Sequence, residues 1–317
     1  MTYSTHVNIA ATPIIEQDIV QHRLPWCGEE LIAPGHFGHL EFEIDGSLRT
    51  LWCYMAVSER PSFSTEVLAD LTRAQSLFRA EASAQQASVS SAIRTIVHGS
   101  RTAGIYNLGG DLGLFVDCIR RQDRTRLTEY AHLCVDIVFN NSEGYGQGVT
   151  TVALVQGQAM GGGFEAALSC HVIVAERSAR LGLPEVMFNL FPGMGAYSFL
   201  SRRLTPAAAE RMILSGKVYT AAELHELGIV DVLAEDGGGV AAVRRHVREM
   251  NRRQSTRRAM RHVCNVVNPI TRAELIRVTD IWVETALQLT EEDLRRMSRL
   301  INAQDRRAAG QSATAAE

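Results

Sequence analysis

Two glycine-rich turns and two glutamates carry the chemistry open to this sequence. Gly161-Gly162-Gly163 follows an apolar run and leads into Phe164-Glu165-Ala166-Ala167-Leu168, a segment of helical character. The first turn of a helix leaves backbone N–H groups unpaired and partly positive, and successive glycines let an oxygen reach them without side-chain interference. Such a site suits a phosphate or the developing oxygen of an enolate. Tyr106-Asn107-Leu108-Gly109-Gly110-Asp111-Leu112 also follows a strand and precedes a helix, and it offers a second exposed N–H. Two donors converging on one oxygen are what a carbonyl needs as negative charge accumulates on it. Glu165 falls in the first helical turn after the glycines, and Glu185 lies in the mainly apolar stretch Gly182-Leu183-Pro184-Glu185-Val186-Met187-Phe188. A carboxyl in an apolar wall is raised towards neutral pH, and two of them beside a polarised carbonyl can remove and deliver protons.

Each of these residues also has a plainer use. A triple glycine permits close packing of a helix on a sheet, and Asp111 suits the cap of the helix that follows it. Cys170-His171 is a tempting nucleophile and base, but chain neighbours point in different directions, which argues against a dyad. The phosphate-loop Gly-Lys-Ser/Thr pattern is absent, and no G-x-G-x-x-G with a downstream acid opens a strand-helix unit, so nucleotide binding is disfavoured.

The 317 residues are 46% hydrophobic and 21% charged, as in ordinary globular proteins. No apolar run approaches the roughly 18 residues of a membrane span. The start lacks the basic end and apolar core of an export signal, so the expected compartment is the cytoplasm. A net charge of −3 leaves no basic field for nucleic acid. Of the 32 basic residues, Lys217 is the single lysine and 31 are arginine. The six cysteines are scattered without metal-ligand spacing, which predicts free thiols, no metal and no cofactor.

The elements that must position this chemistry alternate. An irregular arm occupies residues 1–37. His39–Ile44 and Leu48–Val57 read as a hairpin about Asp45-Gly46. Helical spacing runs from Phe63 to Ala82, and further helices are predicted over Leu112–Arg121 and Arg124–Asn141. Ala92–His98, Thr150–Val155 and His171–Ala175 read as buried strands, and Leu181–Val186 as a short extended piece. Met194–Arg203 reads as helix. Thr205-Pro206 caps another through Leu214, Ala221–Leu227 is a short one, and Ile229–Leu233 is a short strand. From Val240 the chain reads as helix, broken at Asn268-Pro269. Strands alternating with helices imply a mostly parallel sheet with a helical C-terminal region.

Together the motifs resemble the enoyl-CoA hydratase (crotonase) superfamily. The resemblance rests on Ala153-Leu-Val-Gln-Gly-Gln-Ala-Met-Gly-Gly-Gly-Phe-Glu165, Gly182-Leu-Pro-Glu-Val186, Phe191-Pro-Gly-Met-Gly195, the Asn107–Leu112 loop, and Leu214–Ala221 with Leu227–Asp231. It covers roughly Leu40 to the C-terminus. Within the superfamily, Tyr106–Phe115, Gly161–His171, Leu183–Ser198 and the long C-terminal helices are similar to the diffusible-signal-factor synthases, which make cis-2-unsaturated fatty-acid signals from 3-hydroxyacyl thioesters on acyl carrier protein.

That resemblance implies a crotonase (ClpP-like) α/β fold of repeated ββα-type units. It divides the chain into an arm 1–37, a core 38–236, helices 237–306 for oligomerisation and the acyl pocket, and a tail 307–317. It implies an oxyanion hole from the N–H groups of Gly110 and Gly162, and an acid/base pair of Glu165 and Glu185 whose individual roles stay open. Gly109, Met160, Gly161, Met194 and Trp282 are expected to contact the acyl thioester, carried on acyl carrier protein or CoA. Dehydration with thioester hydrolysis is the leading expectation. The alternatives are an acyl-CoA hydratase or isomerase of fatty-acid catabolism and a non-catalytic regulator. A homotrimer or hexamer is expected. Arg202, Arg203 and the Arg252–Arg261 cluster are candidates to dock an acidic carrier.

Overall fold

The computed structural model describes residues 35–57, 60–84 and 93–300. Most of the arm, Cys27 and the tail lie outside them. Strands β1 (Leu40–Asp45) and β2 (Thr50–Met55) form the expected hairpin, with the Asp45 carboxylate accepting the Leu48 N–H at its turn. Then follow β3 (Thr95–Ser100), β4 (Ile105–Asn107), β5 (Thr150–Val155), β6 (Gln158–Met160), β7 (Val172–Glu176), β8 (Arg180–Gly182), β9 (Val218–Thr220) and β10 (Val232–Ala234). The helices are α1 (Thr65–Ala84), α2 (Leu112–Arg121), α3 (Arg124–Glu143), α4 (Gly162–Ser169), α5 (Ala196–Leu200), α6 (Pro206–Ser215), α7 (Ala221–Glu226), α8 (Gly239–Arg252), α9 (Gln254–Val267) and α10 (Arg272–Leu287).

Two sheets share these strands. The larger runs β1-β2-β3-β5-β7-β10, parallel except for the hairpin. The smaller runs β4-β6-β8-β9, with only β9 antiparallel. Each repeated unit sends its first strand to the large sheet and its second, of three residues, to the small one. β4, β6 and β8 are thereby adjacent and parallel, so the segments that leave them emerge at one edge. Those segments are Leu108–Asp111, Gly161–Gly163 and Leu183–Glu185.

Buried apolar positions explain why the elements form. β5 and β7 bury nearly every residue between the layers, as their β-branched composition predicts. α8 lays Ala242, Val243 and Val247 against Val152, Leu154 and Val174 of the large sheet. α2 and α3 open on Asp111 and Asp123, whose carboxylates accept N–H groups of the first turn. Asp111 is thus a cap, as read from the sequence.

Some boundaries differ from the sequence reading. Only Arg180–Gly182 of the extended piece is strand, because Pro184 opens a short 3-10 turn over Pro184–Phe188. The helix read over Met194–Arg203 is regular only over Ala196–Leu200, since Gly195 at φ +105° sets its start. The strand read at Ile229–Leu233 begins at Val232. The polar stretch 140–146 finishes α3, and Gly144 then turns Tyr145 into the core, edge-on to Phe78. Among the described residues no helix is long and apolar enough to cross a membrane.

Candidate active site

A cavity opens where the three loops of the small sheet meet α3 and α10. It is lined by Gly109, Gly110, Gly161, Gly162, Glu165 and Glu185 at one end, and by Phe115, Tyr130, Cys134, Phe188, Met194 and Trp282 around the rest. Leu300 joins that wall. Among the described residues no Lys, Arg or His lines it, so negative charge arising there meets no cationic side chain among them.

The glycines are required by contact. Gly109 sits at φ +93°, and a Cβ there would fall 2.7 Å from the carbonyl oxygen of Met160. Its N–H donates to the Asn107 side chain at 2.7 Å, which folds the turn. A Cβ on Gly162 would lie 3.5 Å from the Gly110 nitrogen, so the two loops abut. Tyr130 braces the first of them: its hydroxyl donates to the Phe63 carbonyl at 2.5 Å and accepts the Asp111 N–H at 2.9 Å. Gly161, at φ +52°, donates its N–H to the Gly182 carbonyl at 2.9 Å. A Cβ on Gly161 would meet Glu185 Oε1 at 2.4 Å, so the carboxyl of Glu185 lies against bare backbone.

The two glutamates differ in their surroundings. Glu165 is 2% exposed, and its Oε1 accepts N–H bonds from Met194 at 2.7 Å and Ala196 at 2.9 Å. Burial lifts its carboxyl to about 7 against the pull of those two donors. Glu185 has a buried Oε2 with no hydrogen-bond partner. Burial, then the neighbouring Glu165 charge, raises it well above the usual carboxylate range. Glu185 is therefore the more readily protonated of the two and Glu165 the more readily ionised.

The other sequence candidates separate. Met194 and Trp282 line the cavity, with the Trp282 ring edge-on to Phe115 at 5.0 Å between centroids. Met160 is not among the lining residues: its side chain packs with Ile105 and Leu108 in a small cluster beside the cavity. Cys170 and His171 face different partners, Ala166 O and Thr151, and form no dyad. Arg202 is held by Glu274 at 2.8 and 2.9 Å, and Arg203 by Asp231 and the Cys170 carbonyl. Arg261, within the 252–261 cluster, is likewise turned inward to the Val149 carbonyl and Thr150. Phe115, Tyr130 and Cys134 were not singled out from the sequence. Their only signal is the apolar face of α2 and α3, which any core helix shows.

Comparison with known proteins gives a consistent result. The model of a family described as enoyl-CoA hydratase/isomerase matches residues 62–307. A peroxisomal fatty acid beta-oxidation multifunctional protein, AIM1, of Arabidopsis thaliana is 35% identical over 142 residues, 45% of this chain and 19% of that protein. A 2,3-dehydroadipyl-CoA hydratase of Escherichia coli (strain K12) is 42% identical over 86 residues, 27% of this chain and 34% of its own length. The matched region thus spans about a third or less of these relatives. The crystal structure of enoyl-CoA hydratase from Bacillus halodurans superposes with a TM-score of 0.68 at 22% identity, over 82% of this chain and 99% of that one.

Proposed function

Because the chain belongs to the enoyl-CoA hydratase/isomerase family and has the crotonase fold, we propose that it adds water to, or removes it from, the 2,3-bond of an acyl thioester. The observation that carries this reading is the pair of buried carboxyls with unequal proton affinity beside abutting glycine loops. In the hydration direction the thioester oxygen lies between the N–H groups of Gly110 and Gly162. Ionised Glu165 takes a proton from water as its oxygen bonds to C3, and the electrons of the double bond move onto the thioester oxygen. Glu185 then gives its proton to C2, and the enolate collapses. The pair starts with a proton on Glu185 and ends with one on Glu165, so dehydration is the same path reversed.

Gly109 and Gly161 shape the approach to the thioester, and Met194 and Trp282 enclose its apolar tail. CoA is the carrier named in the descriptions of the family and of the Escherichia coli relative, and a CoA thioester is the substrate class proposed here. A second reading, dehydration followed by hydrolysis to a free cis-2-enoic acid from acyl carrier protein, is favoured by the motif runs Tyr106–Phe115, Gly161–His171 and Leu183–Ser198. It uses the same hole for a tetrahedral oxyanion. A homotrimer or hexamer is proposed on α9, which buries no residue and exposes Met260, Val263, Val266 and Val267.

The test is incubation of the purified protein with 2-enoyl-CoA, 3-hydroxyacyl-CoA and the matching acyl carrier protein thioesters, with products read by mass spectrometry. Interconversion of the two CoA thioesters supports the hydratase. Free enoic acid supports the second reading. An inert protein with both carboxyls intact would overturn both. Light scattering during size exclusion gives the subunit number.

A further inference from the structure

We propose that Thr279 is a positioning residue for the Glu165 carboxylate, acting from α10 through the Gly193–Ala196 segment. Thr279 is a buried polar residue that does not line the cavity. Its hydroxyl donates to the Gly193 carbonyl at 2.6 Å, across 86 residues of sequence. The very next N–H in the chain, that of Met194, is one of the two that hold Glu165 Oε1, and Ala196 supplies the other.

Thr279 does not act alone on this segment. Leu275, Thr279 and Trp282 fall on one face of α10 at four- and three-residue spacing. The Trp282 ring covers Gly193 so closely that a Cβ there would meet its Cγ at 2.3 Å. Leu275 presses on Gly195, where a Cβ would lie 3.1 Å from its Cδ2. These apolar contacts fix where the segment sits but are non-directional. The Thr279 hydrogen bond is the directional element: it aims the Gly193 carbonyl at α10, and the peptide plane then turns the Met194 N–H towards Glu165.

The proposal rests on the acid/base reading of Glu165, and its test separates the two. Thr279→Val keeps the shape and removes the hydrogen bond, and Thr279→Ser keeps the bond. With a 2-enoyl-CoA substrate, the valine variant is expected to lose about tenfold in kcat with KM within about twofold of wild type. The acid limb of its pH profile moves up by about half a unit, because a carboxylate that loses N–H donors binds its proton more tightly. The serine variant matches wild type.

The same shift is expected in a 13C NMR titration of the Glu165 carboxyl, assigned with Glu165→Gln, which needs no turnover. If the valine variant melts earlier but its Glu165 titration stays put, Thr279 is merely structural and the proposal fails. It fails equally if serine shifts the titration as far as valine. If wild type turns over no thioester while the titration shift is seen, the acid/base reading falls and the positioning stands. Should the valine variant not fold, Thr279→Ala carries the same expectations.

Discussion

Burial, with the charge of Glu165 beside it, raises the proton affinity of Glu185 above that of Glu165. The two carboxyls share one cavity, yet Glu165 accepts the N–H groups of Met194 and Ala196 on one oxygen while Glu185 keeps a buried Oε2 without a partner, so the negative charge settles on Glu165 and adds to the burial that raises the proton affinity of its neighbour. This asymmetry comes from backbone placement, since both side chains are the same amino acid.

Substituting either carboxyl by its amide should abolish one half of the proton relay. Glu165→Gln and Glu185→Gln are each expected to lower kcat between about 100- and 10,000-fold with little change in KM. Steady-state kinetics on a 2-enoyl-CoA checks this, and the double variant should be little worse than the poorer single one because the two act as a unit.

Activity and stability should respond to pH in opposite directions. The folded protein holds the Glu165 proton up to about 7, against an ordinary value of 4.5. Below 4.5 both folded and unfolded chains carry it. Between the two values the folded state binds more protons, so stability falls as pH rises, and above about 7 the whole penalty, about 3 kcal/mol, is present. kcat/KM should rise through the same window as Glu165 ionises. Glu165→Gln should therefore match wild type in urea denaturation at pH 4 and exceed its stability at pH 8.

Glycine substitutions should separate the site from the scaffold. Gly161→Ala sets a Cβ 2.4 Å from Glu185 Oε1, and the mobile end of that side chain must move. A kcat reduced about 100-fold is expected, the loss of one acid/base partner, together with the backbone strain of alanine at φ +52°. Gly228→Ala, at φ +77° with nothing within 4 Å, should cost stability only, about 1–2 kcal/mol of backbone strain. Thermal melts and kinetics on both variants test the contrast.

Tyr130→Phe should act on the glycine loop from behind. It leaves the Asp111 N–H and the Phe63 carbonyl without their shared partner. A loss of about 2 kcal/mol in stability is expected for such unpaired buried groups. A fall of about tenfold in kcat with KM held accompanies it, because the hole is misplaced rather than removed. A variant with wild-type kcat would show that the Gly110 N–H needs no brace.

What was legible in the sequence follows from what is chemically unusual. Glu165 after three glycines and Glu185 in an apolar stretch are residues with few reasons to stand where they do, and the structure brings both to one cavity. The large sheet was legible too, since β5 and β7 are long enough to show a buried run. The small sheet was not. Its strands have three residues each, too few for a period, and Pro184 cuts short the piece that was seen. Ion pairs such as Arg202 with Glu274 join residues 72 apart, and nothing local marks them. Met160 stands on one of these three-residue strands, packed against the lining residue Leu108.

The register of the small sheet has a further consequence. Asn107 stands opposite Ala159, and Met160 opposite Gly182. Residues far apart in the chain are thus spaced by the rungs of a ladder. A slip of one rung would carry a glycine N–H about 3.3 Å along its strand. That is more than a hydrogen bond can stretch, so a single mispaired rung in this small sheet would leave a folded protein with its two halves of the oxyanion hole out of reach of each other.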